Sequence, residues 1–357
     1  MTRRQRALWV STSMATRGGV ASFVRDMRAT PLWDEWHIDH VATHRDGSIA
    51  TKLAAYQVSV FVYLYRLLVR RPAVVHLHMS SYGSFPRKYM FELLARVLRI
   101  PVVLHVHGSD FSVFYDGASP SLRAAIRDAL SGAAVVIALG EPWAAALREI
   151  APEARITVVS NAIRPNTPVD QRSGLPVQVL FLGEVGERKG TFTLLEAWHR
   201  MMTERAAVAP PPRLLVAGDG AVERARKMVA DLGCASSVEI AGWLEPQRVP
   251  ELLTASQVLV LPSHREGQPM AILEAMARGL CVVTCPVGGI PDLIDERSGV
   301  MVAPGDAEEL AEALGRVVGD AALRERLGAA ALQRVREEFD IDVVWRRFDG
   351  LYREITR

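Results

Sequence analysis

The stretch Pro262-Ser-His-Arg-Glu-Gly-Gln-Pro-Met-Ala-Ile-Leu-Glu-Ala-Met-Ala-Arg-Gly-Leu-Cys-Val-Val-Thr284 connects two short apolar runs, Val258 to Leu261 and Cys281 to Thr284. Each run has the length and continuous apolar character of a strand buried on both faces. Between them lies one helix opening at Pro269, whose fixed φ and missing N–H suit a first turn. Strand, helix and strand in that order make a parallel crossover.

The same alternation continues toward both ends. Upstream in this half, Gln178 to Leu182, Leu214 to Ala217 and Val238 to Ala241 read as further strands with helical patterns between them. An earlier series comprises Ala7 to Ser13, Ile38 to Ala42, Val74 to Leu77, Val102 to His105, Ala133 to Ala138 and Ile156 to Val159. The expected fold is α/β, with two Rossmann-like, doubly wound parallel-sheet domains. A chain of 357 residues exceeds what one core usually serves. The segment Arg164 to Pro176, with Pro165, Pro168 and Pro176, reads as a linker. The organisation expected is a first domain over 1–164, a linker over 165–176, a second domain over 177–338, and a terminal helix over 339–357 that returns to the first. That helix carries Val343, Val344, Phe348, Leu351 and Tyr352 on or near one face. Two such sheets are expected to face each other across a cleft, with ligands at the carboxyl ends of the strands.

Composition narrows the function classes. Apolar residues make up 49% of the chain and run along its whole length, as in a globular protein. Cys234, Cys281 and Cys285 are too few for a disulfide framework, which favours a reducing, cytoplasmic setting, and they read as core residues. Arg3, Arg4 and Arg6 precede only a short apolar run, better explained by a first strand than by a signal peptide. Val58 to Val69 is interrupted by Arg66 and falls short of the ~20 residues a membrane span needs, so none is expected. Residues 1–170 hold 20 Lys and Arg against 13 Asp and Glu, a net +7; the remainder holds 22 against 27, a net −5. A basic first half suggests peripheral contact with an anionic membrane on the inner face of the cell, through Arg66, Arg70, Arg71, Arg87 and Lys88 and their apolar neighbours. Nucleic acid is not expected, because neither stacked aromatics nor a basic helix accompanies the charge.

The quoted segment places Glu266 on the loop before the helix and Glu274 inside it. Free N–H groups at the helix start suit phosphate oxygens, and a carboxylate accepts hydrogen bonds from vicinal hydroxyls. With Pro286-Val-Gly-Gly-Ile-Pro-Asp292 behind it, the segment resembles the retaining glycosyltransferases of family 4, whose E-x7-E pair matches Glu266 and Glu274 and whose Gly-Gly loop matches Gly288 and Gly289. The resemblance covers nearly the whole chain. It implies the GT-B fold, a first domain that binds the acceptor and a second that binds a nucleotide-diphosphate sugar. It further implies retention of configuration, with Glu274 on the ribose and Glu266 beside the transferred sugar.

Other motifs fit that frame. In Phe181-Leu-Gly-Glu-Val-Gly-Glu-Arg-Lys-Gly190, Arg188 and Lys189 offer positive charge to a departing diphosphate. Relatives commonly have Arg where Glu184 stands, and Arg188 is proposed as its replacement. Arg17-Gly18-Gly19-Val20 follows the first strand, and glycines there permit close backbone approach to a ligand. His107, in His105-Val-His-Gly-Ser-Asp-Phe111, corresponds to the family's active-site histidine, while His105 reads as a core residue. Gly218 and Gly242 are expected to line the nucleotide pocket. Asp340-Ile-Asp342 begins the terminal helix and reads as a cap rather than a metal-binding D-x-D. A zinc site built on His76, His78, His105 and His107 lacks a Cys or carboxylate at ligand spacing. No metal and no cofactor are expected beyond the donor substrate.

Arg87-Lys88 and the segment His105 to Phe114 resemble enzymes of bacterial exopolysaccharide and O-antigen assembly, which suggests a polyprenyl-diphosphate-linked glycan as acceptor. Two other readings use the same architecture: a nucleotide-sugar epimerase or hydrolase, and a non-catalytic nucleotide-sugar-binding protein.

Overall fold

The computed structural model describes residues 5–16, 18–108, 111–172, 176–204 and 210–357. The chain divides into two compact units, Met1–Ala162 with Ile341–Arg357, and Ile163–Asp340.

In the first unit six parallel strands, β1 (Ala7–Ser11), β2 (Asp39–Ala42), β3 (Val74–Met79), β4 (Val102–Val106), β5 (Val135–Ala138) and β6 (Ile156–Val158), lie in the order β2-β1-β3-β4-β5-β6. The central strands are apolar at nearly every position because helices cover both faces. One face packs Leu8, Val10, Leu77 and Leu104 against Tyr63, Phe85 and Phe91. The other packs Trp9, Val74, Val103 and Ile137 against Phe23, Met27, Phe348 and Tyr352. The terminal helix, Ile341–Ile355, buries Ile341, Val344, Trp345, Phe348 and Tyr352, whereas Val343 is 38% exposed. The expected stripe keeps Val344, Phe348 and Tyr352, while Ile341 and Trp345 take the buried places expected of Val343 and Leu351.

In the second unit β7 (Gln178–Leu182), β8 (Arg213–Ala217), β9 (Val238–Gly242), β10 (Val258–Leu261), β11 (Cys281–Thr284) and β12 (Val300–Met301) are likewise all parallel, in the order β12-β11-β10-β7-β8-β9. Cys234, Cys281 and Cys285 are buried thiols of this core, and burial pushes the last two up to about 12. The proline-rich segment is tied into the second unit as far as Gln171. Asn166 and Val169 donate to the carbonyls of Ala277 and Arg278, and Gln171 Nε2 donates to Gly279 at 3.0 Å. Buried Arg324 answers with bonds to the Gln171 carbonyl and to the carbonyls of Val317 and Val318. Ser173, Gly174 and Leu175 lie outside the described residues.

The apolar run Val58 to Val69 lies within a longer helix. It covers Ile49–Tyr65 and continues through a π-helical turn, Arg66–Arg70. By length and composition alone these 22 residues suffice to cross a membrane. One side, however, is seated in the first unit, where Tyr63 and Leu67 are buried and Tyr63 Oη donates to the Phe91 carbonyl at 2.7 Å.

Candidate active site

In an open parallel sheet the crevice forms at the carboxyl ends of strands where the order reverses. In the second unit β7 lies beside both β10 and β8, so that point is between β7 and β10. The loop after β7 carries Lys189, and the loop after β10 carries Ser263 and Glu266. The three side chains meet there: Lys189 Nζ pairs with Glu266 Oε1, and Ser263 Oγ donates to the same oxygen at 2.6 Å. Glu266 is 5% exposed. A carboxylate so deeply placed is stable only with its charge and lone pairs engaged, which the ammonium and the hydroxyl accomplish. The two loops are also joined through backbone, His264 N–H donating to the Arg188 carbonyl at 2.9 Å.

Glycine permits this convergence. Gly288 has φ 57, and a Cβ there would fall 1.8 Å from the Glu266 carbonyl oxygen. Gly289 N–H donates to the Gly267 carbonyl at 2.8 Å, fastening the loop after β11 to the Glu266 loop. On the other side of β7, Gly218 closes against the Gly183 carbonyl, with 1.7 Å to an added Cβ, and its N–H donates to the Gly242 carbonyl at 2.8 Å. Gly218 and Gly242 thus lace together the ends of β7, β8 and β9.

The helix Met270–Met276 begins one position later than expected, with Pro269 in extended conformation before it. Glu274 is half-buried on it, next to Arg278, which donates to its backbone carbonyl at 3.1 Å. Arg188 donates to Glu184 Oε2 at 2.8 Å. The acid that stands where relatives have Arg therefore holds the arginine offered as its replacement. Sequence reasoning missed Ser263, which no spacing rule singles out.

In the first unit Gly18 precedes the helix Gly19–Arg28 with φ 110, a conformation that glycine adopts without strain. Arg17, Ser109 and Asp110 lie outside the described residues. His107 directly follows β4, and its Nε2 is 2.9 Å from His78 Nδ1. Desolvation pushes the His107 pKa down to about 3, so the ring is neutral near pH 7, suited to hydrogen bonding rather than to charge. Behind it His76, His78 and His105 are buried and likewise held well below the ordinary imidazole range by burial. Trp9 Nε1 donates to Tyr352 Oη at 2.9 Å, Tyr352 Oη meets His76 Nδ1, and His76 Nε2 lies 3.3 Å from His105 Nδ1. One ring nitrogen from each of His76, His78 and His105 falls within 4.8 Å of the others. The rings of His76 and His78 stack at 4.5 Å, nearly parallel, rather than converging on a point. No carboxylate joins this cluster among the described residues, and a divalent charge there would be uncompensated in an apolar core.

Two family models match in succession: "Glycosyl transferase 4-like domain" over residues 51–162 and "Glycosyl transferases group 1" over 176–320. The alpha-D-kanosaminyltransferase of Streptomyces kanamyceticus is 26% identical over 313 residues, 81% of this chain and 80% of that one. Among solved structures, sucrose-phosphate synthase from Thermosynechococcus elongatus superposes with a TM-score of 0.78 at 19% identity, covering 98% of this chain and 99% of that one. Anabaena HepE in complex with UDP-glucose gives 0.72 at 17% identity, covering 98% and 99%. With its two parallel six-stranded sheets and these two domain types in sequence, the chain is a glycosyltransferase of the GT-B fold.

Proposed function

We propose that the chain moves a sugar from a nucleotide-diphosphate donor to a lipid-linked glycan, a polyprenyl diphosphate carrier, with retention of configuration. The observation that carries the donor half of this reading is the buried Lys189–Glu266–Ser263 cluster at the reversal of the second sheet. In this reading Glu266 orients the transferred sugar and keeps Lys189 in place. The ammonium's remaining N–H groups and the Arg188 guanidinium meet the diphosphate as its charge grows, without a metal. Gly288 and Gly289 bring backbone to the phosphates, and Glu274 accepts from the ribose hydroxyls. In the first unit the neutral His107 hydrogen-bonds a sugar hydroxyl, and the Gly18–Gly19 turn lets backbone approach a ligand. The leaving phosphate takes the acceptor's proton on the face it departs from.

Calorimetric titration with UDP, GDP, ADP and TDP in the presence of EDTA tests this donor site. At least one is expected to bind with micromolar dissociation constant; no binding by any of the four contradicts the reading. UDP is the first choice because HepE, a structural neighbour, has been solved with UDP and UDP-glucose.

Membrane contact belongs to the same proposal, with its surface revised. Lys88, expected on that surface, is 1% exposed, and Arg66 and Arg70 are both paired with Asp39. The helix from Ile49 instead exposes Val58, Phe61, Tyr65 and Leu68 along one face, at 61%, 74%, 52% and 66%. An apolar face of this kind, with Lys52 and Arg71 near its ends, suits the boundary between headgroups and acyl chains. Co-sedimentation with liposomes containing phosphatidylglycerol checks it. Binding is expected in the wild type and should be lost in Phe61→Glu/Leu68→Glu; failure to bind even at low salt rules it out.

A further inference from the structure

Lys88 belongs to the helix Ser84–Val97 and shares its buried side with Phe85, Phe91 and Glu92. A lysine this deep normally meets a carboxylate. Among the described residues the ammonium of Lys88 has one partner, the Thr43 hydroxyl, which itself donates to the Ser11 carbonyl at 3.0 Å. Glu92, one turn further on, faces Arg96 instead, at 3.7 Å. Two of the three ammonium N–H groups are therefore left without acceptors in a site already removed from water.

Among the described residues the surroundings repeat the same deficit of acceptors. Arg87 is half-buried, and its Nε is buried without a partner. Ser81 Oγ is buried and unpartnered as well, on the loop between β3 and this helix. Gly108, after His107, leaves room for that hydroxyl: a Cβ there would come within 2.7 Å of it. The loop carries backbone strain, Tyr82 holding φ 52, a conformation that concentrates at functional sites. Burial and Arg87 pull Lys88 down to about 7, and burial followed by Lys88 pulls His40 down to about 4. His44 is held low by burial and Arg87, against the opposing pull of Asp46. Thr43 follows β2, bonded to Ser11 at the end of β1, and Ser81 follows β3; the order of the first sheet reverses between β1 and β3, where ligands settle in such sheets.

We propose that Lys88 and Arg87, with the hydroxyls of Thr43 and Ser81 beside them, form a phosphate subsite in the first unit that receives the phosphate of the acceptor. Two adjacent cations match a dianionic phosphate better than a carboxylate, and Arg87 presents a planar fork of donors to it. That the phosphate belongs to an acceptor rests on the transferase reading above; the anion site itself does not.

Titration of the full chain with inorganic pyrophosphate, without donor or acceptor, tests the two separately. The probe is expected to bind. The second unit's Lys189 site can take the same anion, so Lys88→Met, which keeps the volume and removes the charge, and Arg87→Gln should each weaken at least tenfold one of the binding events seen in the wild type, while Lys227→Met, at an exposed lysine of the second unit, leaves all of them in place. Melting curves establish that each variant is folded, and Arg87→Gln decides the matter if Lys88→Met is not. Wild-type stoichiometry and affinity in folded Lys88→Met and Arg87→Gln overturn the subsite. Acetate competing as well as pyrophosphate overturns its assignment to phosphate. If these variants lose pyrophosphate binding while no sugar is ever transferred, the subsite stands and the acceptor reading falls.

Discussion

Gly288→Ala is expected to cost at least a hundredfold in kcat/KM while leaving the chain folded. The added methyl would sit 1.8 Å from the Glu266 carbonyl oxygen and 2.8 Å from its carbonyl carbon. Both obstacles are backbone, so relief requires moving the loop that carries Glu266 by more than an ångström, and the positive φ adds strain of its own. Displacements of about 1 Å at a reacting centre commonly cost about 10²-fold in rate. Gly186→Ala is the matched control. Its φ of 170 is extended backbone open to any residue, and nothing lies within 4 Å of its Cβ position. Activity of the control should stay near wild type; a Gly288→Ala enzyme within threefold of wild type would show that the Glu266 loop does not position substrate.

Breaking the Lys189–Glu266 pair is the second large effect. Lys189→Met leaves a carboxylate at 5% exposure with Ser263 as its remaining partner among the described residues. Removing one member of a buried pair typically destabilises by about 3–5 kcal/mol, because the other charge stays buried and uncompensated. Glu266→Gln should be milder in stability, since a flexible Lys189 can turn its ammonium toward water, but should lower turnover by about 10²–10³. The double variant is expected to be more stable than Lys189→Met alone and no slower than the worse single. Melting curves and steady-state rates of all three against wild type measure the coupling. Strictly additive losses in both would mean that the two side chains act independently.

Much of this architecture is visible in the sequence because strands buried on both faces leave continuous apolar runs. Gln178 to Leu182, Val258 to Leu261 and Cys281 to Thr284 coincide with β7, β10 and β11. Strand β12 is too short, at Val300–Met301, to leave such a pattern. The Glu266 loop was legible through its company of Gly, Pro and Glu, whereas the Ser263 contact depends on how two distant loops close. Lys88 was misplaced because Arg87-Lys88 reads locally as a solvated pair. The apolar period of Phe85, Phe91 and Ala95 runs through position 88 and turns the lysine inward. Arg188 reads as a phosphate ligand on charge alone, and the ion pair it makes with Glu184, four residues earlier, leaves no sequence signal. The register of β3 on β4, with His78 opposite His105, gathers their histidines into a buried ladder that no local motif announces.

The donor site on the second unit is the central claim, and the most direct test of it is the affinity of Glu274→Gln for the nucleoside diphosphate that the wild type binds. Gln keeps the shape and half-buried position of Glu274 while removing the charge that, on the proposed reading, strengthens a hydrogen bond to the ribose hydroxyls. Loss of a charge-assisted hydrogen bond is worth about 1.5–3 kcal/mol, or roughly ten- to a hundredfold in Kd. Calorimetric titration should show that weakening with the melting temperature little changed. A Glu274→Gln protein that binds the nucleotide as tightly as wild type would contradict the account, because the ribose would then lie elsewhere than on the helix Met270–Met276.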